Sequence, residues 1–552
     1  MKPYLFYSIA TFGVIISGVF LALKEPLINV ALRFGLVVRN NTFFYNKWID
    51  IADDIEVWIW NITNADEYKI ETDNRGRRKY TFPVPKVEQV GPFVYRQLYL
   101  KKNASFLDDD GSEVDKHPTL VRIRQTFDYY SEYPNRGLDP ETTIVNIPNL
   151  VALALPRMIE YFCEGYNPNF DGCSLILEQF FRRILNKELL ASESMPVVKN
   201  VKAGDAIWQY NDPMIQHLKS LCREYPICAK TGLADILPDG IGMLEIKNTT
   251  IDWPFYEMDT GYKKLNETLQ IRKFSLRGFE NLKSYIDIWP KNSQCSVLKG
   301  TDGRSGQPGL DENTDVWVFL ADLFKSFKFE FQEKIKEPRG FTSLRYKMIE
   351  KSLASPSNNS ENTCFCDNSF FWQRSNMNCS ETGGGYIIEN AFWGFPLLLT
   401  NAHYLWGEKW LGDRENPRVI GNFEENREDE FGYGQFDTYV KYEKLSGLPI
   451  KGVGRYQFSL AINQDRNYDI LKNMEQDTII MPLLWANETF QLKDWGDLED
   501  LLWWFAVFAY TGYTILFAVL LALSIGCIGC YYWMNRSGKD EIAESNIENP
   551  HK

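Results

Sequence analysis

The segments VWIWNIT (57–63), KYTFPV (79–84) and PFVYRQLYL (92–100) indicate the fold class of this chain. Each is rich in β-branched and aromatic residues, and Asn, Pro and Gly interrupt the pattern. Apolar alternation broken by turn-forming residues is typical of β-strands. We therefore predict strands and turns over residues 57–99, and again after Trp208.

Segments with helical periodicity lie before this strand pattern and within it. Residues 26–49 and 146–187 repeat apolar residues at helical spacing. Within CSLILEQFFRRILNKELL (173–190) the pattern predicts one apolar side, formed by Leu177, Phe180, Phe181, Ile184 and Leu185. The basic residues Arg182, Arg183 and Lys187 fall largely away from it. Two interpretations stay open: a solvated basic face, or a basic platform that contacts anionic ligands.

Composition excludes several functional classes. The chain has 552 residues, and its 73 acidic residues exceed the 60 basic residues, which argues against a nucleic-acid partner. Only four histidines occur, and none has another histidine three or four positions away, so no zinc-hydrolase pattern exists. There is also no G-x-S-x-G elbow and no P-loop. We expect no enzyme activity, no metal and no cofactor.

Both ends of the chain carry long runs without charge. Tyr4 to Leu23 and Phe505 to Cys530 are each long enough to cross the roughly 30 Å hydrocarbon layer of a bilayer. A cleaved signal peptide is the alternative for the first run, but Leu21-Ala22-Leu23 offers no small-x-small cleavage site. We therefore predict two membrane-spanning helices.

The flanking charges orient these helices. Arg536 and Lys539 follow the second run, whereas Glu499 and Asp500 precede it, so the positive-inside rule places the C-terminus in the cytosol. The expected boundaries are a cytosolic N-terminus (1–3), a transmembrane helix (4–23), one extracellular or lumenal domain (24–504), a second transmembrane helix (505–530) and a cytosolic tail (531–552).

Glycosylation sequons agree with this topology. The external segment contains eight N-x-S/T triplets, which begin at Asn40, Asn61, Asn103, Asn248, Asn266, Asn358, Asn378 and Asn487. A ninth triplet begins at Asn535, on the cytosolic side, and should stay unmodified.

The cysteines divide between the same two compartments. The external segment holds an even set, suited to disulfide bonding: Cys163, Cys173, Cys222, Cys228, Cys295, Cys364, Cys366 and Cys379. Cys527 and Cys530 lie at the cytosolic end of the second span. We expect palmitate on these two juxtamembrane thiols, with plain packing as the alternative.

Several strings, taken in order, resemble the class B scavenger receptors, a family that includes fatty-acid translocase, lysosomal integral membrane protein type 2 and the insect sensory neuron membrane proteins. The resemblance opens with IWNITNADEY (59–68) and KVEQVGPFVYRQ (86–97). It continues through CSVLKGTDG (295–303), SGLPIKGVGRYQFSLAIN (446–463) and MPLLWANET (481–489), and covers nearly the whole chain.

The resemblance implies an α+β fold. It consists of a large antiparallel β-barrel-like ectodomain with a membrane-distal helical bundle, an internal tunnel and two terminal transmembrane helices. It makes Arg182, Arg183 and Lys187 candidate contacts at the ligand entrance. It also implies the disulfides Cys295–Cys364 and Cys366–Cys379. Cys163–Cys173 and Cys222–Cys228 are expected as local pairs outside the family pattern, although the sequence leaves the pairing of these four open.

The chain departs from the family pattern at one disulfide bond. The two positions read Phe324 and Ala391, so both halves of that bond are absent together. We expect apolar packing in its place.

The resemblance further implies a receptor that binds lipidic ligands, namely fatty acids, lipoproteins and phospholipids, and passes them through its tunnel to the bilayer. The alternative is a protein-binding receptor, for adhesion or for delivery of a lysosomal enzyme. The tail DEIAESNIENP (540–550) carries no dileucine or tyrosine sorting signal. We therefore favour the plasma membrane over the alternative, an endolysosomal membrane.

Overall fold

The computed structural model describes most of the segment between the two charge-free runs. The described residues are 15, 18–19, 22–72, 74, 78–164, 175–191, 193–224, 240–244, 254–276, 278–367, 369–392, 394–428, 434–492, 500, 503–504, 507 and 512–547.

One large sheet dominates these residues. The strands are β1 (Asp50–Ile62), β2 (Lys69–Thr72), β3 (Arg78–Thr81), β4 (Lys86–Leu107), β5 (Leu120–Ser131), β6 (Ile144–Pro148), β7 (Val197–Lys202), β8 (Phe255–Asp259), β9 (Ile271–Ser275), β10 (Val316–Leu320), β11 (Lys325–Lys336), β12 (Thr342–Met348), β13 (Gly385–Ile387), β14 (Leu397–Thr400), β15 (Ile420–Gly421), β16 (Tyr439–Glu443), β17 (Pro449–Asn463) and β18 (Thr478–Gln491).

The main path through the sheet is antiparallel throughout. It runs β10–β11–β12–β16–β17–β18–β1–β4–β5–β8–β9. The hairpin β13–β14 branches from β17, and β15 joins β4 in parallel. The pairs β2–β3 and β6–β7 form separate two-stranded sheets.

Side-chain alternation explains why β1 occupies the centre of this path. Ile51, Asp53, Ile55, Val57 and Ile59 are buried, and the residues that alternate with them from 52 to 58 are half-buried. The strand pairs with β4 on one side and with β18 on the other. Period-two burial of this kind places one face of a strand against the core. The strand prediction for residues 57–63 and 92–100 is confirmed.

Residues 300–301 join the two outer strands of the path and nearly close the sheet. The Ile271 N–H of β9 donates to the Gly300 carbonyl over 2.9 Å. On the other side, the Phe319 N–H of β10 donates to the Thr301 carbonyl over 2.8 Å. Gly300 has a φ of +92°, and a Cβ there would collide with the Trp317 carbonyl oxygen. The seam therefore requires glycine, and the expected large antiparallel barrel-like sheet is confirmed.

Helices lie outside the sheet. They are α1 (Lys24–Leu36), α2 (Phe43–Trp48), α3 (Leu150–Cys163), α4 (Leu175–Ala191), α5 (Ala203–Trp208), α6 (Pro213–Glu224), α7 (Phe370–Arg374) and α8 (Tyr513–Ile547). Within the described part of the chain, no helix combines the length and the hydropathy that a bilayer span needs. Much of 4–23 and part of 505–530 lie outside the described residues.

The prediction of which residues form the apolar side of α4 is partly wrong. Leu185 is buried as expected, but Ile184 is 37% exposed, and Leu189 takes the next buried position. The buried stripe at this end of α4 therefore follows residues 185 and 189, four positions apart.

Two disulfides fasten the region between β9 and β13. Cys295 is bonded to Cys364 and Cys366 to Cys379, the two pairs that the family resemblance implies. Cys163 is also disulfide-bonded. Cys173, Cys228 and the side chain of Cys222 lie outside the described residues.

Apolar packing occupies the position of the missing bond. Phe324 is fully buried, and its ring meets that of Phe392 edge to face, with centroids 5.8 Å apart. Ala391, the neighbour of Phe392 in sequence, packs against the same core. The expectation of apolar packing there is confirmed.

We predict that Gly300→Ala destabilises the protein more than Gly309→Ala. Both glycines have positive φ, so each alanine costs about 1–2 kcal/mol of backbone strain. Only Gly300 adds a collision with Trp317, because a Cβ on Gly309 meets nothing within 4 Å. Thermal unfolding of the full chain in detergent measures the difference. Equal losses of Tm would show that the seam does not depend on this close approach.

Candidate ligand-binding site

A pocket lies where the β13–β14 branch leaves the main sheet. Its lining is mainly apolar, contributed by Leu320, Leu323, Phe327, Met348, Leu353 and Leu399. Polar groups are fewer and come from Tyr386, Thr400, Asn401, Thr438, Arg455 and Tyr456, with Gly454 beside them. An apolar wall with a few polar groups is the usual composition of a small-molecule site.

The branch strand creates this pocket. All four residues of β14 (LLLT) are buried, and Leu399 and Thr400 pair with Phe458 and Gln457 of β17. β17 pairs with β16 through residues 449–453 and with β14 through residues 457–460, so β14 continues this edge of β17 beyond β16. Side chains from these strands and from β10–β12 meet without filling the whole space between them.

The dimensions of the pocket suit a slender apolar group. Its empty volume is about 360 Å³, which includes open solvent at the mouth. Little of this space is wide enough to admit a water molecule, so the pocket is narrow. Each Å² of apolar ligand surface buried there would gain about 25 cal/mol. A narrow, mainly apolar space of this kind excludes bulky ring systems.

A buried ionic cluster adjoins one wall of the pocket. The Arg304 guanidinium donates to Asp53 Oδ2 from Nε over 2.9 Å and from Nη2 over 2.6 Å. Its carbon lies 3.3 Å from the centre of the Tyr99 ring. The hydroxyls of Tyr99 and of the pocket residue Tyr456 both donate to the Glu488 carboxylate. The polar side of the pocket is thereby fixed to strands β1, β4 and β18.

Burial controls the ionisation of this cluster. It raises the pKa of Asp53 to about 6, although Arg304 opposes the shift. Burial likewise lowers the pKa of Lys101, which lies 3.9 Å from Asp302, to about 8. Such shifts follow from the cost of a charge in a low-dielectric interior. The interior charges are therefore present as compensated pairs.

The structure separates the three basic residues predicted at the ligand entrance. Arg182 is only 21% exposed, and its Nη2 contacts Glu160 at 3.2 Å and Glu178 at 2.5 Å. Arg183 is exposed, and the Lys187 side chain is 74% exposed with its Nζ 3.5 Å from the Glu188 carboxylate. Arg183 and Lys187 therefore face solvent, whereas Arg182 belongs to an ion-pair network.

That network fastens the helices to the barrel-like sheet. Glu160 of α3 is fully buried and contacts Arg157 at 3.0 Å and Arg374 of α7 at 3.4 Å, in addition to Arg182 of α4. Arg157 also reaches Asp465, in the loop between β17 and β18, at 3.4 Å. One carboxylate thus holds three guanidinium groups from three helices.

Comparison with known protein families identifies the family of this chain. The sequence model of the CD36 family matches residues 7–533. The chain belongs to the CD36 family. The match confirms the class B scavenger receptor resemblance, and the members it resembles include lysosomal, sensory neuron and scavenger receptor proteins.

Three CD36-family relatives illustrate the extent of the similarity. Lysosome membrane protein 2 of Rattus norvegicus is 21% identical over 84% of this chain and 80% of its own length. Sensory neuron membrane protein 2 of Drosophila melanogaster is 22% identical over 85% of each chain. Scavenger receptor class B member 1 of Sus scrofa is 20% identical over 93% of this chain and 85% of its own length.

Sequence reasoning missed the pocket residues. They come from β10, β11, β12, β13, β14, β17 and the connecting turns, so no short motif contains them. The string SGLPIKGVGRYQFSLAIN (446–463), on which the family resemblance partly rests, does contain Gly454, Arg455 and Tyr456. That string was the available signal, but nothing in it shows which of its residues border empty space.

We predict that Glu160→Gln destabilises the protein by about 3–5 kcal/mol, because it leaves the buried Arg157 and the half-buried Arg182 and Arg374 without their shared carboxylate. Lys202→Gln serves as the control. Lys202 pairs with Glu141 across 3.4 Å on the surface, and such exposed pairs contribute less than about 1 kcal/mol. Thermal unfolding compares the two variants. If Glu160→Gln proved as stable as the control, the Glu160 network would not be what fastens the helices to the sheet.

Proposed function

We propose that this chain is a membrane receptor that captures lipidic ligands outside the membrane, holds their apolar part within the barrel-like sheet and passes them towards the bilayer. The observation that carries the proposal is the narrow apolar pocket between the β13–β14 branch and β10–β12. Capture of this kind requires no chemical step, because removal of apolar surface from water drives it. Fatty acids, phospholipids and lipoproteins are the proposed partners, and no cofactor is needed.

We propose that Arg183 and Lys187 attract anionic ligands to the helical end of the protein. Both project from the same stretch of α4, and positive charge there would raise the encounter rate with carboxylates or phosphates. Arg182 is left out of this role because Glu160 and Glu178 occupy its guanidinium group.

The proposed topology has two terminal spans, 4–23 and 505–530, with both termini in the cytosol. Support comes from α1, where Leu23, Leu27, Val30 and Phe34 form an exposed apolar stripe directly after the first charge-free run. Exposed Trp504 stands just before the second run, as expected for a residue at a membrane interface. The plasma membrane is the proposed location. The name of the lysosomal relatives supports the endolysosomal alternative.

We predict that Gly454→Leu weakens lipid binding at least tenfold. Gly454 borders the pocket, and a Cβ there meets nothing within 4 Å, so a larger side chain fills space that a ligand would use. Gly35→Leu is the matched control, since Gly35 is exposed on α1 and also has open space around its Cβ position. Titration of the nanodisc-reconstituted full chain with a fluorescent fatty acid measures the dissociation constant.

Two results would count against the lipid proposal. Equal binding by wild type and Gly454→Leu would place the ligand elsewhere. No binding by wild type would favour the alternative function, a receptor for protein ligands.

Reversal of the exposed basic pair should weaken capture of anionic vesicles. We expect Arg183→Glu/Lys187→Glu to reduce capture more at low salt than at physiological salt, where screening acts over about 8 Å. Lys409→Glu/Arg414→Glu makes the same charge change at exposed residues elsewhere. If the two double variants behave alike at every salt concentration, α4 is not the entrance.

Glycan mapping tests the topology. Asn40, Asn103, Asn266, Asn358 and Asn378 are exposed, and we expect glycans on all five. Asn61 and Asn487 should be unmodified, because each half-buried side chain donates from Nδ2 to a carboxylate, Glu88 or Glu56, over 2.8 Å. Asn248 lies outside the described residues, and its modification is expected from topology alone.

Enzymatic release of glycans in heavy-oxygen water, followed by mass spectrometry, identifies the occupied positions. A glycan on Asn535 would overturn the topology. The free thiols Cys527 and Cys530 provide a second readout, since palmitate on them would require a cytosolic position. Hydroxylamine-sensitive labelling that persists after both are changed to Ser would remove that assignment.

A further inference from the structure

Most polar side chains in the pocket wall already have partners. The Tyr386 hydroxyl donates to the Leu323 carbonyl over 2.6 Å, and the Tyr456 hydroxyl donates to Glu488 over 2.5 Å. The Thr438 hydroxyl accepts from the Arg455 N–H over 3.0 Å and donates to the Arg455 carbonyl over 3.3 Å. These groups stabilise the wall and need nothing from a ligand.

Two neighbouring residues of the same wall differ. Thr400 is 5% exposed and Asn401 is 4% exposed. Thr400 Oγ1 and Asn401 Nδ2 are buried, and neither has a hydrogen-bond partner among the described residues. A buried polar atom left without a partner costs about 1–3 kcal/mol, so such atoms are uncommon in folded proteins. In this case both residues line the pocket.

The backbone directly after this pair is strained. His403, Tyr404 and Trp406 have φ values of 55°, 57° and 65°, a region that non-glycine residues rarely adopt. Strain of this kind is concentrated at ligand sites, where the surrounding structure maintains it. The His403 ring is held by stacking on Phe436 at 4.3 Å and by contact with Gln89 at 2.9 Å. The turn therefore fixes the position of Asn401.

We propose that Thr400 and Asn401 bind the polar head of the lipid whose chain occupies the pocket, and so determine which lipids this receptor accepts. The inference rests on the proposed lipid-binding function. Asn401 Nδ2 can only donate, and Thr400 Oγ1 can donate as well. The pair therefore selects a head that offers an acceptor oxygen.

Charge narrows the chemistry of that head further. The Arg455 guanidinium donates to the Asp437 carbonyl, outside the lining, and no carboxylate stands among the lining residues to repel an anionic head. The head is a carboxylate or an ester carbonyl, and the chain lies against Leu320, Phe327 and Leu399. A hydrocarbon of the same length without an oxygen leaves both polar atoms unsatisfied and binds less tightly.

Competition against a fluorescent fatty acid tests this selection. The full chain in nanodiscs is loaded with cis-parinaric acid, which is displaced with palmitic acid, methyl palmitate or hexadecane. For wild type we expect hexadecane to compete about tenfold less effectively than the acid and the ester. In Thr400→Val/Asn401→Leu, which keeps the volume and removes the donors, we expect the three competitors to agree within twofold.

Thr438→Val is the matched control. It removes a hydroxyl from the same wall, but one that is already bonded to Arg455, so the wild-type preference should persist. A thermal unfolding curve for each variant shows that it folds.

The three competitors and the two variants together distinguish the possible outcomes. An acid that competes better than its methyl ester identifies the carboxylate, whereas equal competition identifies the carbonyl; either supports the inference. A wild type that binds parinaric acid but shows no preference against hexadecane overturns it, since the pair then holds water only. A double variant that retains the wild-type preference also overturns it. If parinaric acid does not bind to wild type at all, the proposed function fails together with the inference.

Discussion

The backbone hydrogen bonds that residues 300–301 make to both β9 and β10 are the constraint on which the rest of the structure depends. An open sheet of this length would expose two edges with unpaired N–H and C=O groups, and such edges invite association. Near-closure covers these edges and turns one face of the strands on the main path into an interior. Gly300 permits closure because only glycine fits against the Trp317 carbonyl at that backbone angle. Pocket and ionic cluster both lie on the walls that this closure creates.

The interior of the sheet is filled by two different kinds of side chain in two different parts. Paired charges occupy the part near β1 and β4, where Arg304 joins Asp53 and stacks on Tyr99. Apolar side chains line the part near β10–β12, and the extra strand β14 leaves a narrow gap there. The two parts meet at Tyr456, which borders the gap and bonds to Glu488. An amphiphile placed at this junction would have its chain in the apolar part and its head near polar groups.

Local sequence predicted the strands well, because alternation such as that of residues 57–63 directly reports which face is buried. The barrel-like closure came only from the family resemblance, since the bonds that residues 300–301 make to β9 and β10 join positions that no local pattern connects. The basic pattern of α4 could not distinguish Arg182 from Arg183. The two arginines are adjacent and identical in type, and only the contact with Glu160 of α3 shows that Arg182 is held in an ion pair. Thr400 and Asn401 likewise carry no sequence signal, because Thr followed by Asn is ordinary at the end of a strand. Only the structure shows that two of their polar atoms lack partners.

The central claim is that the gap beside β14 holds the chain of a lipid. Photocrosslinking of the full protein with a fatty acid that carries a diazirine near its terminal methyl group tests this claim most directly, with peptide mapping by mass spectrometry. The account predicts adducts on residues 316–327, 397–401 and 454–456, which excess unlabelled fatty acid suppresses. Adducts confined to residues 505–530 or to exposed surface, with none on the three pocket segments, would contradict it.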